Sequence, residues 1–308
     1  MKISAGEKSN RLVNWLIPPR IQGFEFCDQP WLKGVWRDAY LDGLNFILWV
    51  GGIYSRVHEP FGKWVRRAGN RPVQDLASGG GRPITTLVNE AGRNNVRLPK
   101  MILSDLHPDT EAFAAIARDL PGRVEYVSDS VDATDPGAGG ARLFSICGAF
   151  HHFPPAAARR MLANVAARGD GIFIQEIFDR QWWALGLCVF NLVPLMLVPF
   201  FSKRFSFKKL LITTILPIIP LMIMFDGIVS IFRTYRPEEI IAMIPGNLRN
   251  EWRWEQGSCS FMGFLGAPYV CGYRPVYGDR QEVAVGAIAV TDEAIGGRHL
   301  AIEQEVTV

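Results

Sequence analysis

Three short stretches hold residues whose types and spacing could do chemistry. The first is VQDLASGGGRP (73–83), where an acid, Asp75, is followed by Gly79, Gly80 and Gly81. A chain that turns sharply from strand to helix and passes close to a ligand needs glycine there, and a helix starting at Pro83 aims its N-terminus at the same spot. A glycine-rich turn also fits nicotinamide or flavin binding, but D-L-A-S-G-G-G is not the spacing G-x-G-x-x-G of the dinucleotide fingerprint. A carboxylate beside the turn suits a cationic ligand better than a pyrophosphate. The second stretch, ILSDLHP (102–108), puts Asp105 just past an apolar run, either to hold a ligand or to cap the next helix. The third, GAFHHF (148–153), carries His151 and His152. These are candidates for a base, or for groups that orient a nucleophile, or else they cap the helix that begins near Pro154.

The elements that must position these residues follow a regular rhythm from Arg71 onward. Apolar runs PVQDLA, KMILSD, RVEYVS, ARLFSICG and GIFIQEI read as strands. Between them PITTLVNEAG, PDTEAFAAIARDL and PPAAARRMLANVAARG read as helices, and acids early in the second match the helix dipole. Strand and helix alternating at this spacing mean parallel pairing through crossover helices, a doubly wound α/β sheet. RPEEIIAMIPG is a further helix, and EWRWEQGSCSF with APYVCGYRPVY form a terminal antiparallel hairpin. Residues 1–70 read as helical, with no clean strand alternation.

The order of an acid and small-residue turn, an acid closing the second strand, acids after the third (SDSVDATD) and an aromatic loop after the fourth resembles the class I S-adenosylmethionine-dependent methyltransferase family. The likeness covers residues 71–177 and 234–276, and Ala77 stands where the family's acid-G-x-G-x-G motif has its first glycine. FEFCDQPWLKGVWRDAY (24–40) is similar to a stretch of uncharacterised, membrane-associated bacterial members. The resemblance implies a seven-stranded Rossmann-like sheet and S-adenosyl-L-methionine as cofactor. It assigns cofactor contacts to Asp75, Ala77, Ser78, Gly79, Gly81, Asp105, Leu106, Asp132, Ala133 and Gly148, with Asp105 on the ribose hydroxyls. Asp132 with Ala133 is preferred to Asp129 for the adenine, because Asp129 lies too close to the strand end. His151 or His152 would act on the substrate, and Asp28, Trp31, Trp36, Arg37, Tyr40 and Phe150 would shape its pocket.

Composition excludes some classes. A formal net charge of +3, without a basic run interleaved with aromatics, does not suit nucleic acid. Cys27, Cys147, Cys188, Cys259 and Cys271 are scattered, with no CxxC pair and no Cys/His cluster resembling a metal site, as in a reducing compartment. No apolar segment with a cleavage site opens the chain, so the catalytic part is expected in the cytoplasm.

Mean hydropathy is +0.09, and its excess is local. WWALGLCVFNLVPLMLVPFF (182–201) has no charge, and LLITTILPIIPLMIMFDGIVSIF (210–232) has only Asp226. Each is long enough to cross a bilayer. A spanning hairpin would put SKRFSFKK, with Lys203, Arg204, Lys208 and Lys209, on the outer side, against the positive-inside tendency. Pro194, Pro199, Pro217 and Pro220 interrupt the helices, and Asp226 would be costly at mid-bilayer. A monotopic, re-entrant hairpin with its basic loop among headgroups satisfies these constraints; a spanning hairpin and a buried lid or homodimer interface are the alternatives.

The expected organisation is therefore an N-terminal helical cap (1–70), a catalytic domain (71–178 and 234–277), a hydrophobic hairpin (179–233) and a loosely ordered tail (278–308). The expected function is methylation of a lipophilic small molecule at the cytoplasmic face of a membrane. The other readings are methylation of a soluble metabolite with the hairpin as anchor or dimer interface, and a catalytically silent membrane scaffold.

Overall fold

A computed structural model describes residues 17–136, 142–202, 205–261 and 265–275. The expected tail from 278 lies outside them, as do Lys203 and Arg204.

Two helices, α1 (Val35–Val50) and α2 (His58–Arg67), precede the sheet. Strands β1 (Val73–Asp75), β2 (Met101–Leu103), β3 (Val124–Tyr126), β4 (Leu143–Cys147) and β5 (Gly171–Gln175) follow, with helices α3 (Arg82–Arg93), α4 (Thr110–Asp119) and α5 (Pro155–Arg168) between them. After the insertion and two short helices, β6 (Arg253–Phe261) and β7 (Leu265–Tyr273) complete a seven-stranded sheet in the order β3-β2-β1-β4-β5-β7-β6. β1 to β5 pair in parallel, while β7 is antiparallel to both β5 and β6. β4 and β5 are buried at all five positions, as strands covered on both faces must be. One face packs Phe61 and Trp64 of α2, Leu87 of α3 and Phe113 of α4 against Met101, Leu143 and Phe173. The other packs Met161, Leu162 and Val165 of α5 against Phe144, Ile146 and Ile172.

The insertion departs from a simple hairpin. Its first apolar run forms three short helices, α6 (Trp182–Phe190), α7 (Leu192–Met196) and α8 (Val198–Phe201). The second forms α9 (Phe207–Leu210), a π-helical turn (Leu211–Ile215) and α10 (Ile218–Arg233), after which α11 (Pro237–Met243) and α12 (Gly246–Arg249) lead to β6. Pro194, Pro199 and Pro220 each sit in the first turn of a helix and Pro217 immediately precedes one. There proline removes no intrahelical hydrogen bond, so each proline starts a new helix. Among the described residues no single helix is long and apolar enough to cross a membrane. The pair Phe207–Ile215 and Ile218–Arg233 reaches that length and composition together but is bent by 60°.

Two charged residues explain how so apolar a segment holds to the rest. Asp226, expected to be a misfit in lipid, is buried against protein. Its Oδ1 accepts from the Phe26 N–H at 2.8 Å, and its Oδ2 accepts from the Cys27 N–H at 3.0 Å and the Tyr40 hydroxyl at 2.7 Å. Lys209, expected among headgroups, is also buried and lies 2.6 Å from Asp42 of α1, whose carboxylate also accepts from Ser202 Oγ at 2.8 Å. These bonds join α1 and the insertion into one layer, with Leu32, Ala39 and Tyr40 packed on Leu195, Val198, Ile219, Met222 and Ile223.

Candidate active site

The strand order reverses between β1 and β4, and at such a switch point the carboxyl ends of the strands splay to leave a crevice. Asp75 closes β1 there. Strand register places it beside Ser145, whose hydroxyl donates to Oδ1 at 2.7 Å, and Ser78 Oγ lies 2.8 Å from Oδ2. Burial pushes the Asp75 carboxyl up to about 7, against the pull of the two hydroxyls.

The turn that follows has three left-handed residues, with φ of +57° at Ala77, +54° at Gly79 and +71° at Gly81. Judged by size, alanine for glycine at 77 is a mild departure from the family motif. Its conformation corrects that view, since the left-handed region costs a non-glycine residue about 1–2 kcal/mol. A Cβ on Gly79 or Gly80 would meet nothing within 4 Å, so the space above the turn is open, whereas one on Gly81 would come within 2.5 Å of Ile116.

Asp105 reaches this turn. Its Oδ2 accepts from the Gly79 N–H at 2.8 Å and its Oδ1 from the His107 N–H at 2.9 Å. The loops after β2 and β3 are stitched together by Val131 N–H to Asp105 O at 2.9 Å and Ser130 Oγ to Leu106 O at 2.6 Å. Asp132, beside buried Ala133, accepts from the Thr134 N–H at 2.8 Å, which holds its carboxyl below the usual range; Asp129 and Leu106 are exposed. Hydrogen bonds thus tie Asp75, Ser78, Gly79 and Asp105 together at the turn beyond the carboxyl ends of β1 and β2.

Five parallel strands ending in an antiparallel hairpin, in this order, form the sheet of the class I methyltransferase fold. No protein-family model matches the chain, and no curated protein matches it. Among solved structures it is similar to the plantazolicin methyltransferase BpumL in complex with SAH, at 9% identity over 78% of this chain and 90% of that one, TM-score 0.49. It is also similar to magnesium protoporphyrin IX methyltransferase from Synechocystis PCC 6803 with bound SAH, at 15% identity over 78% and 92%, TM-score 0.45. A third likeness is to an O-methyltransferase family protein from Burkholderia thailandensis, at 15% identity over 74% and 59%, TM-score 0.42. At these scores the likenesses add nothing to what the sheet order shows by itself.

Gly148, which follows β4, lines an apolar cavity of about 120 Å³ beneath the cap layer. His151 and His152 both line it, with Leu44, Ile47, Phe178, Leu195 and Ile223 among its walls. The Nδ1 of buried His151 lies 2.7 Å from Oε2 of Glu176, itself buried immediately beyond β5. Burial pulls the imidazole pKa down, but the Glu176 carboxylate outweighs it and the net direction is up. Nδ1 then carries the proton and Nε2 is left as the basic nitrogen. Glu176 is absent from the residues expected on sequence. Its signal was an acid immediately after the strand GIFIQ.

His152 makes a different set of contacts. Its Nδ1 lies 3.1 Å from Asp28 Oδ1, and Arg233 Nη1 lies 3.0 Å from Asp28 Oδ2 and 3.2 Å from Glu25 Oε1. Burial raises the Asp28 carboxyl, but His152 and Arg233 outweigh it and hold it at about 2. Glu25, Cys27, Asp28 and His152 bring metal-type donor atoms within 4.8 Å of one another. Arg233 already supplies the counter-charge between the two carboxylates.

Of the residues expected to shape a substrate pocket, Tyr40 lines the cavity. Trp31, Trp36 and Arg37 are exposed and do not. Phe150 is fully buried on the opposite face of the sheet, 5.3 Å from the Tyr235 ring. In the tight turn Phe150–His152 only the histidines line the cavity, their rings 4.3 Å apart, while Phe150 packs with Ile146, Met161 and Tyr235. Tyr54 was not foreseen. It is buried, and its hydroxyl would lie 2.4 Å from a Cβ on Gly148, so it packs against the glycine that lines the cavity.

Proposed function

We propose that the chain transfers a methyl group from S-adenosylmethionine to a lipophilic small molecule at the cytoplasmic face of a membrane. The observation that carries this reading is an apolar cavity at the carboxyl end of β4, the strand beside β1 and its glycine turn, whose lining includes Gly148 and a His151 paired with buried Glu176.

The residues present fit the cofactor. Asp105 suits a pair of sugar hydroxyls and a cationic ligand, and the open space over Gly79 and Gly80 admits a chain lying on the backbone. Leu106, Asp132 and Ala133 would flank the base. When bound, S-adenosylmethionine supplies an electrophilic methyl group on a positively charged sulfur. The chain's own part is to exclude water with the cavity walls, to align the acceptor, and to take its proton at His151 Nε2 while Glu176 holds the ring.

The cap layer supports the membrane part. Trp49, Phe190, Val193, Phe201 and Phe207 are between 67% and 80% exposed, an apolar surface that water does not favour. The 60° bend after Ile215 suits a re-entrant segment resting in one leaflet better than a crossing one.

Calorimetry with S-adenosylmethionine tests the reading. Wild-type protein should bind it, and NADH should not bind. Asp105→Asn should weaken binding about 100-fold, the loss of charge-assisted bonds to hydroxyls. An unchanged affinity in that variant would make Asp105 a turn cap only.

A further inference from the structure

The cavity beneath the cap has a neighbour. A second apolar cavity, of about 260 Å³, lies between the C-terminal end of α1 and helices α6 and α7. The two share Ile47, Ile177, Phe178 and Asn191, so they meet along a common wall that these residues help to form. The outer cavity is walled further by Val50, Trp183 and Phe190, which are 50%, 45% and 75% exposed, and its mouth therefore opens on the apolar surface of the cap.

The two ends differ in chemistry. The outer cavity is almost wholly apolar. The inner one ends on Glu25, Tyr40, Asp226, His151 and His152, a set dominated by hydrogen-bond acceptors. The buried cation at that end, Arg233, is already held by Glu25 and Asp28 and donates to the His152 carbonyl at 3.1 Å. An anionic head would meet carboxylates with no free cation among the described residues that line the cavity. A head that donates a hydrogen bond would meet His151 Nε2, which the pairing of Nδ1 with Glu176 leaves as an acceptor.

We propose that the methyl acceptor is a single-chain amphiphile with a neutral or cationic, hydrogen-bond-donating head. The head sits at His151, and the apolar chain passes the wall formed by Ile47, Ile177, Phe178 and Asn191 into the outer cavity. The mouth between Val50, Trp183 and Phe190 is the way in from the apolar surface. This rests on the methyltransferase reading above and adds to it the acceptor class and the route.

The test uses the full-length chain in detergent, with 4-alkylphenols from butyl to dodecyl and the matching 4-alkylbenzoic acids as probes, and native mass spectrometry to follow binding. Phenol affinity should rise about threefold to fourfold per added methylene until the outer cavity is filled. The benzoates should bind at least tenfold more weakly than phenols of equal length. Leu187→Trp, which fills the outer cavity, should flatten the rise for long chains and leave butylphenol unchanged. Val50→Trp at the half-exposed mouth provides the same obstruction at a position where a larger side chain does not disturb the core. Calorimetric binding of S-adenosylmethionine to each variant shows that it is folded. It also separates the two ideas: loss of cofactor binding in the wild type would sink the methyltransferase reading, whatever the phenols do. The same chain-length dependence in wild type and both variants, or benzoates binding as tightly as phenols, overturns the proposal.

Discussion

His151 Nδ1 and Glu176 Oε2 lie 2.7 Å apart, both buried, although the two residues are 25 positions apart in the chain. Adjacent parallel strands bring them together, because each follows the carboxyl end of its strand, β4 and β5. The carboxylate fixes which ring nitrogen carries the proton and makes the other more basic, while burial alone would have left the ring a poorer base.

Replacing Glu176 with Gln should therefore change rate and pH dependence together. His151 acts as a base only when neutral, so wild-type activity should rise with pH through its raised pKa and then level. In Glu176→Gln the plateau should fall about 100-fold, and the rising limb should move to lower pH because the stabilising charge is gone. A lower plateau with an unmoved limb would mean that Glu176 serves packing and that His151 is not the base. Initial rates from pH 5 to 9, with an accepted alkylphenol, measure both quantities.

Ala77→Gly should stabilise the protein by about 1 kcal/mol, because φ is +57° and glycine carries no Cβ penalty there. For a chain of this size that is a rise in Tm of about 2 °C, readable by calorimetric melting. No change would mean that the backbone at 77 relaxes without cost.

Much of this fold was legible in the chain. The five parallel strands lie in short segments rich in apolar residues that alternate with amphipathic helices, and the terminal hairpin followed from its two β-rich segments. The glycine turn and Asp105 were legible because spacing along the chain defines both. Pairings between distant segments were not. Asp226 and Lys209 looked like charges stranded in a lipophilic stretch, since nothing local in their sequence points to Tyr40 or Asp42 as partners. Periodicity shows that the N-terminal helices carry aromatics but not which of them turn inward, so sequence alone groups Trp31 and Trp36 with Tyr40 although, of the three, only Tyr40 lines the cavity.

Asp75 makes stability depend on pH. Its ordinary value is 3.8, and burial carries it to about 7 in the folded chain. Because the folded state holds the proton more tightly, the stabilisation is fully present below about pH 4 and is lost as pH rises to about 7. Tm should therefore fall across that window, and Asp75→Asn, which cannot ionise, should flatten the decline. The gain at pH 8 is on the order of a few kcal/mol, since the buried charge is removed while an acceptor for the Ser145 hydroxyl remains. His151 contributes a slope of the same sign, so some decline should persist in the variant. An identical pH profile in wild type and Asp75→Asn would show that this carboxyl titrates normally.

The apolar face of the cap gives a last expectation. Val193 is 67% exposed and Phe207 80%, and neither lines the two cavities beneath the cap. Inserting two such side chains into a leaflet contributes about 1.5–3 kcal/mol each. Val193→Glu with Phe207→Glu should therefore lower partitioning onto anionic vesicles by about 100-fold or more, measured by co-sedimentation in high salt, with S-adenosylmethionine binding unchanged. If the face instead covers a second copy of the chain, the wild type will sediment as a dimer without lipid and the double variant as a monomer. Vesicle binding will then be weak in both. The two outcomes are opposed because a partner subunit on this face would also cover the mouth formed by Val50, Trp183 and Phe190. A leaflet leaves that mouth open to the molecules it holds.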